Sequence, residues 1–160
     1  MTQPLHIDFV CTGNICRSPM AEIIVRTKLK EAGLDGTARV SSSGIGAWHI
    51  GDSADERALE ELEDHGYDGS RHRAQQFGAD QQQADLIVAL EAKHVSELIA
   101  RGVPEEKIRL LRSFDPASPA GASVEDPYYG GQEGFATTRE QIEAAAPGIL
   151  AWVQEHADHS

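Results

Sequence analysis

Short apolar, β-branched runs alternate along the chain with stretches whose apolar positions recur every three or four residues. Leu5–Cys11 (LHIDFVC) reads as a buried strand, and Thr12-Gly13-Asn14 follows as a polar turn. Ser18 directly before Pro19 predicts an N-cap and a first helical position, with Met20, Ile23, Ile24 and Thr27 at helical spacing until Gly33 closes the segment. Residues 39–42 predict a second strand. Ser53 and Glu56 have capping-box spacing before a helix that carries Leu59 and Leu62 and stops at Gly66. Residues 85–90 (DLIVAL) are the clearest strand, 92–101 a helix with Val95, Leu98 and Ile99 on one face, and 107–111 (KIRLL) a fourth strand. Residues 114–134 show no periodicity and predict a long loop with an aromatic centre, EDPYYGG. Thr137 and Glu140 offer another capping box for a closing helix with Ile142, Ala146, Ile149, Leu150 and Val153 as its stripe. Pro147 should kink or break that helix, and residues from about 155 to 160 (HADHS at the end) should fray.

Strands alternating with helices predict an α/β fold, a parallel sheet with helices on both faces joined by right-handed crossovers, as a single domain over residues 1–160. Ligands of such sheets gather at the carboxyl ends of the strands, which points to the turn after the first strand. Charge narrows the choice of ligand. With 14 Lys and Arg against 26 Asp and Glu the formal charge is −12, which argues against a nucleic-acid partner. The start, MTQPLHIDFV, has no basic leader and carries Asp8 within its apolar stretch, and no later segment approaches a membrane-spanning run. A cytoplasmic monomer without a membrane partner is the expectation; signal-independent export leaves no mark in a sequence. Two cysteines, Cys11 and Cys16, are too few for a disulfide framework or a structural zinc site, so the thiols are either buried or chemical.

The stretch Cys11-Thr12-Gly13-Asn14-Ile15-Cys16-Arg17-Ser18 separates the first strand from the first helix. Successive backbone N–H groups there can curl around an anion, with the positive end of the helix dipole behind them. The same field favours a thiolate, making Cys11 a candidate nucleophile. Arg17 offers a planar fork suited to two oxygens of one tetrahedral anion. An isolated Cys and Arg at this spacing would more often be a buried thiol and a solvated side chain. The flanking strand and helix, and the tolerance of Gly13 and Asn14 for positive φ, reverse those odds.

FVCTGNICRSPMAE, together with DPYYG at residues 126–130, resembles the low-molecular-weight protein tyrosine phosphatases, particularly bacterial members, over nearly the whole chain. The resemblance implies a four-stranded parallel sheet of order 2-1-3-4 and hydrolysis of phosphotyrosine in proteins or peptides, without metal or other cofactor. Carried over, Cys11 is the nucleophile, Arg17 the clamp on the phosphoryl oxygens and Asp126 the general acid and base; residues alone leave Asp126 evenly placed between this role and a turn. Thr12, Gly13, Asn14, Ile15, Cys16, Arg17 and Ser18 would hold the phosphate, Ser18 would donate to the Cys11 sulfur, and Asn14 would brace the loop through Ser42. Ile15, Trp48, His49, Tyr128 and Tyr129 would form the rim, walling a slot for a phenyl ring, with a tyrosine kinase as the opposing partner. Cys16 is a spectator or a redox partner of Cys11. His72 resembles a family position near the site, while His6, His65, His94, His156 and His159 read as surface residues and the acidic run from Asp55 to Asp64 as a solvated helix face. Two departures stand out: Glu91 follows the third strand where many members carry Asp, and the second strand ends in Ser41-Ser42-Ser43 instead of Asp-Ser-Ala.

Alternatives on the same fold are arsenate reductase, which needs downstream cysteines that this chain lacks, and a phosphoarginine phosphatase, whose relatives carry Thr at the position of Ile15. A phosphotyrosine-binding module or flavodoxin-like carrier would need neither the thiol nor the acid.

Overall fold

The pattern of buried strands fixes what lies at the centre: β1 (Leu5–Cys11) is flanked by β2 (Ala38–Gly44) and β3 (Leu86–Ala89), and β4 (Ile108–Leu110) lies outside β3. All pairings are parallel and the order is β2-β1-β3-β4. The computed structural model describes residues 4–157. Among these residues five α-helices surround the sheet, α1 (Arg17–Glu31), α2 (Glu56–Asp64), α3 (Ala79–Gln82), α4 (Ala92–Ala100) and α5 (Gln132–Ala157). Alternation along β1 decides which side each residue serves. Ile7, Phe9 and Cys11 join Met20, Ile24, Phe135, Ile142 and Ile149 in the core under α1 and α5. Val10 joins Ile87, Ala89, Leu98 and Val103 in a second core under α4.

Several helix ends differ from expectation. Arg17 already begins α1, so Ser18 is not its N-cap; the hydroxyl points into the loop instead. Asp55, not Ser53, caps α2, accepting from the Arg57 N–H at 2.9 Å. Thr137 lies inside α5, which starts at Gln132, and its hydroxyl donates back to the Glu133 carbonyl. Pro147 does not break α5, because buried residues on both sides, Ala145, Ala146 and Ile149, hold it against the core. Helix continues to Ala157, so residues 155–157 do not fray; 158–160 lie outside the described residues. On α4 it is His94 and Leu98 that are buried, while Ile99 is exposed.

The serine-rich end of β2 has a local cause. Asp8 is fully buried in β1 opposite Ser41. Ser41 Oγ donates to one carboxylate oxygen at 2.6 Å and Ser43 Oγ to the other at 2.7 Å. Burial pushes the Asp8 carboxyl up to about 6, against the pull of these two donors. Two serines thus satisfy a carboxylate that the strand carries into the interior.

Candidate active site

The loop from Thr12 to Cys16 leaves the carboxyl end of β1 and enters the N-terminus of α1, so its backbone surrounds the positive end of a helix dipole. Its shape depends on Asn14, the sole non-glycine with positive φ (60°) among the described residues. Short polar side chains tolerate that region best. Every polar group of the Asn14 side chain is engaged: Nδ2 donates to Ser18 Oγ at 2.8 Å and Ser42 Oγ at 2.9 Å, and Oδ1 accepts from the Gln75 N–H at 2.9 Å. His72 Nε2 donates to the Asn14 carbonyl at 2.7 Å. Gly44, at the end of β2, lets the loop approach; a Cβ there would lie 2.9 Å from the Gly13 carbonyl carbon.

Cys11 is buried, with its sulfur 2.9 Å from Ser18 Oγ. Because Asn14 donates to Ser18, the single hydroxyl proton goes either to the sulfur or to the Ser43 carbonyl at 3.3 Å, and the sulfur is nearer. Arg17 is 1% exposed, which a guanidinium tolerates only when its donors are satisfied. Nη1 donates to Glu91 Oε1 at 2.5 Å and to the Val124 carbonyl at 2.9 Å. Nη2 donates to Thr12 Oγ1 at 3.3 Å and lies 3.6 Å from Asp126 Oδ2. Burial would raise the Glu91 carboxyl, but the hydrogen bond and charge of Arg17 outweigh it and hold it below the usual range. Glutamate therefore occupies the departure position and still reaches the guanidinium. Asp126 is turned by its own loop, its Oδ1 accepting from the Tyr128 N–H at 3.0 Å.

These groups share one cavity of about 340 Å³, lined by Cys11, Thr12, Gly13, Ile15, Cys16 and Arg17 with Trp48, His49, Asp126, Tyr128 and Tyr129. Ile15, Trp48, His49, Tyr128 and Tyr129 thus all line it. Trp48 and Tyr129 stand open to solvent, 73% and 92% exposed, and the two tyrosine rings meet edge-on at 5.0 Å. Gly46 underlies the Trp48 ring. His49 packs over Gly13 and pairs with Asp52 at 3.2 Å. Cys16 is buried beside the cavity, and burial, reinforced by the charges of Asp55 and Cys11, pushes its thiol up. No group of three or more His, Cys, Asp or Glu among the described residues is arranged to hold a metal ion. Nor is any helix there long and apolar enough to cross a membrane.

Some expectations fail here. His94 is buried, not on the surface; its Nε2 meets Thr12 Oγ1 at 3.0 Å, and burial followed by the charge of Arg17 pushes its ring down to about 4. His6 is buried too, against Ser41. His65 and His156 do lie at the surface, and His159 falls outside the described residues. Asp55 and Glu61 are not solvated, since Asp55 caps α2 and Glu61 takes Arg139 at 2.5 Å. Glu91, Val124, His94 and Gly44 had no role assigned from sequence, because each reaches the loop from a distant element.

The family model for low molecular weight phosphotyrosine protein phosphatase matches residues 6–159. The chain belongs to that family. It is 50% identical over 156 residues to low molecular weight protein-tyrosine phosphatase A of Mycobacterium tuberculosis, covering 97% of this chain and 95% of that one. Identity to the low molecular weight protein-tyrosine-phosphatase of Streptomyces coelicolor is 49% over 159 residues, covering 96% of each. Among solved structures, YfkJ of Bacillus subtilis superposes with a TM-score of 0.88 at 32% identity, over 97% of this chain and 98% of the other. The members are cysteine-based protein-tyrosine phosphatases, and Cys11 and Arg17 bracket the corresponding loop, which makes this chain a phosphatase of that type.

Proposed function

We propose that the enzyme hydrolyses phosphotyrosine in two steps through a phosphocysteine. The Cys11 thiolate attacks phosphorus; the P–O bond breaks, and the departing phenolate takes its proton from Asp126. Water then attacks the phosphocysteine, giving a proton to the Asp126 carboxylate, and the P–S bond breaks to release phosphate. Loop N–H groups and the Arg17 fork stabilise the charge of both transition states, while Ser18 donates to the sulfur as it leaves. The carrying observation is the convergence of Cys11, Arg17 and Asp126 on one cavity, with the Arg17 and Asp126 side chains 3.6 Å apart.

The rim supports an aromatic substrate. Ile15, Tyr128 and Trp48 give apolar walls, where the short side chain of phosphoserine would not carry its phosphate to the cavity floor. Phosphotyrosine in proteins or peptides is the substrate class, opposed by a tyrosine kinase. The two free cysteines suit a reducing, cytoplasmic setting. Cys16, at the other end of the loop five residues from Cys11, suits the part of redox partner, condensing with a Cys11 sulfenic acid formed by peroxide to give a disulfide and water.

Turnover of p-nitrophenyl phosphate at mildly acidic pH in the presence of EDTA tests the mechanism. Cys11→Ser should abolish it, and Asp126→Ala should lower kcat, which includes the base-assisted water attack common to every substrate, by about 10²–10⁴. An active Cys11→Ser variant, or turnover lost to the chelator, would refute the scheme. Preference for phosphoarginine over phosphotyrosine would overturn the role given to Ile15.

A further inference from the structure

Asp126 sits on a loop held on both sides of it. Toward its start, the Val124 N–H donates to the Leu90 carbonyl at 2.7 Å and the Val124 carbonyl accepts from Arg17. Toward its end the anchor is another arginine, which the chemistry described so far does not use. Arg57, in the first turn of α2, sends Nη1 to the Gly130 carbonyl at 3.0 Å. Its Nε and Nη2 grip the two oxygens of Asp55, each at 3.0 Å. Its guanidinium carbon lies 5.4 Å from the Tyr128 ring centroid and 4.8 Å from that of Phe135. Asp55 in turn donates its N–H to the Ile15 carbonyl at 2.8 Å. The chain of contacts therefore runs from the phosphate loop through Asp55 and Arg57 to the far side of the Asp126 turn.

We propose that Arg57 is a positioning residue for proton transfer: its planar fork ties the 126–130 turn to the phosphate loop and so holds Asp126 over the Cys11 and Arg17 pair. The proposal rests on Asp126 being the general acid. The Asp126 side chain accepts from the Tyr128 N–H within the turn and lies 3.6 Å from Arg17 Nη2 across it, so holding the turn fixes how the acid meets the phosphate clamp. A guanidinium satisfies Asp55, the Gly130 carbonyl and two ring faces at once, whereas a lysine ammonium supplies the charge without the fork or the stacking plane.

The consequence is specific to the step in which the leaving group needs a proton. For Arg57→Lys and Arg57→Ala, kcat/KM toward phenyl phosphate and phosphotyrosine should fall by about 10- to 100-fold, as a misplacement near 1 Å costs. Toward p-nitrophenyl phosphate, whose phenolate leaves readily, the loss should stay within about threefold, following the weaker demand for an acid. Vanadate affinity, which reads the phosphate loop alone, should be unchanged. In an Asp126→Ala background, adding Arg57→Ala should bring no further loss that depends on the leaving group. Equal losses on all three substrates, no loss, or a leaving-group-dependent loss that persists without Asp126 would overturn the proposal for Arg57. If Asp126→Ala itself lowers kcat/KM toward all three substrates alike, the general-acid assignment fails instead. Should Arg57→Ala not fold, Arg57→Lys carries the same comparison.

Discussion

At the scale of single residues the site is a set of constraints on one loop. Asn14 illustrates how two demands fall on one side chain, a positive φ and a fully used amide. Asn14→Gly should keep the backbone and lose the hydrogen bonds, whereas Asn14→Ala should lose both. We expect Asn14→Gly to cost about 1–3 kcal/mol in urea unfolding, from the donors and acceptors left unpaired. Asn14→Ala should cost about 1–2 kcal/mol more for the left-handed conformation. The order of the two variants is the test; equal losses would mean that the backbone strain is absent. Vanadate titration of the same variants would show whether the weakened loop still closes on an oxyanion.

Elements meet at glycines, where backbone approaches backbone. Gly44 lets β2 support the phosphate loop, and Gly148 lets α5 lie against the chain after β4, where a Cβ would come within 2.2 Å of the Phe114 carbonyl oxygen. The two substitutions should separate function from stability. Gly148→Ala forces apart two packed elements far from the cavity, so it should lower stability by about 1–3 kcal/mol while the folded fraction keeps its kcat. Gly44→Ala presses directly on the Gly13 and Asn14 backbone and should lower kcat/KM by about tenfold or more even where melting temperature changes little. Chemical denaturation and steady-state kinetics on both proteins check this, and a Gly44→Ala enzyme with unaltered kinetics would contradict it.

Over the whole molecule, buried ionisable groups set how stability responds to pH. Asp8, raised to about 6 in the fold by burial, binds its proton more tightly there than in the unfolded chain. Its contribution is fully present below pH about 4 and is lost as pH rises through about 6. His94, lowered to about 4, acts in the opposite sense: its neutral form is favoured, so stability falls as pH drops from about 6.5 toward 4. Asp8→Asn should therefore stabilise the protein at pH 7.5, by about 2–3 kcal/mol from the shift, and the gain should vanish near pH 4. Urea midpoints of both proteins across that range would reveal it; a gap that does not change with pH would show that Asp8 is not the titrating group.

Much of this was legible from local patterns. A run such as DLIVAL and a stripe such as Met20, Ile23 and Ile24 act over a few residues, and the loop from Cys11 to Ser18 declares its chemistry through residue types, spacing and the strand and helix that flank it. Helix ends were less legible: Ser18 and Asp55 each have capping chemistry, but α1 starts where the phosphate loop ends, so the Ser18 hydroxyl serves the sulfur and not the helix. Local order thus specified the elements, the phosphate loop and its nucleophile. Long-range packing alone selected Glu91 and Val124 to hold Arg17, His94 to meet Thr12, and Arg57 to reach Gly130. Those partners lie 73 to 107 residues apart, and nothing in a window of sequence encodes a hydrogen bond that exists only once the sheet has closed around β1.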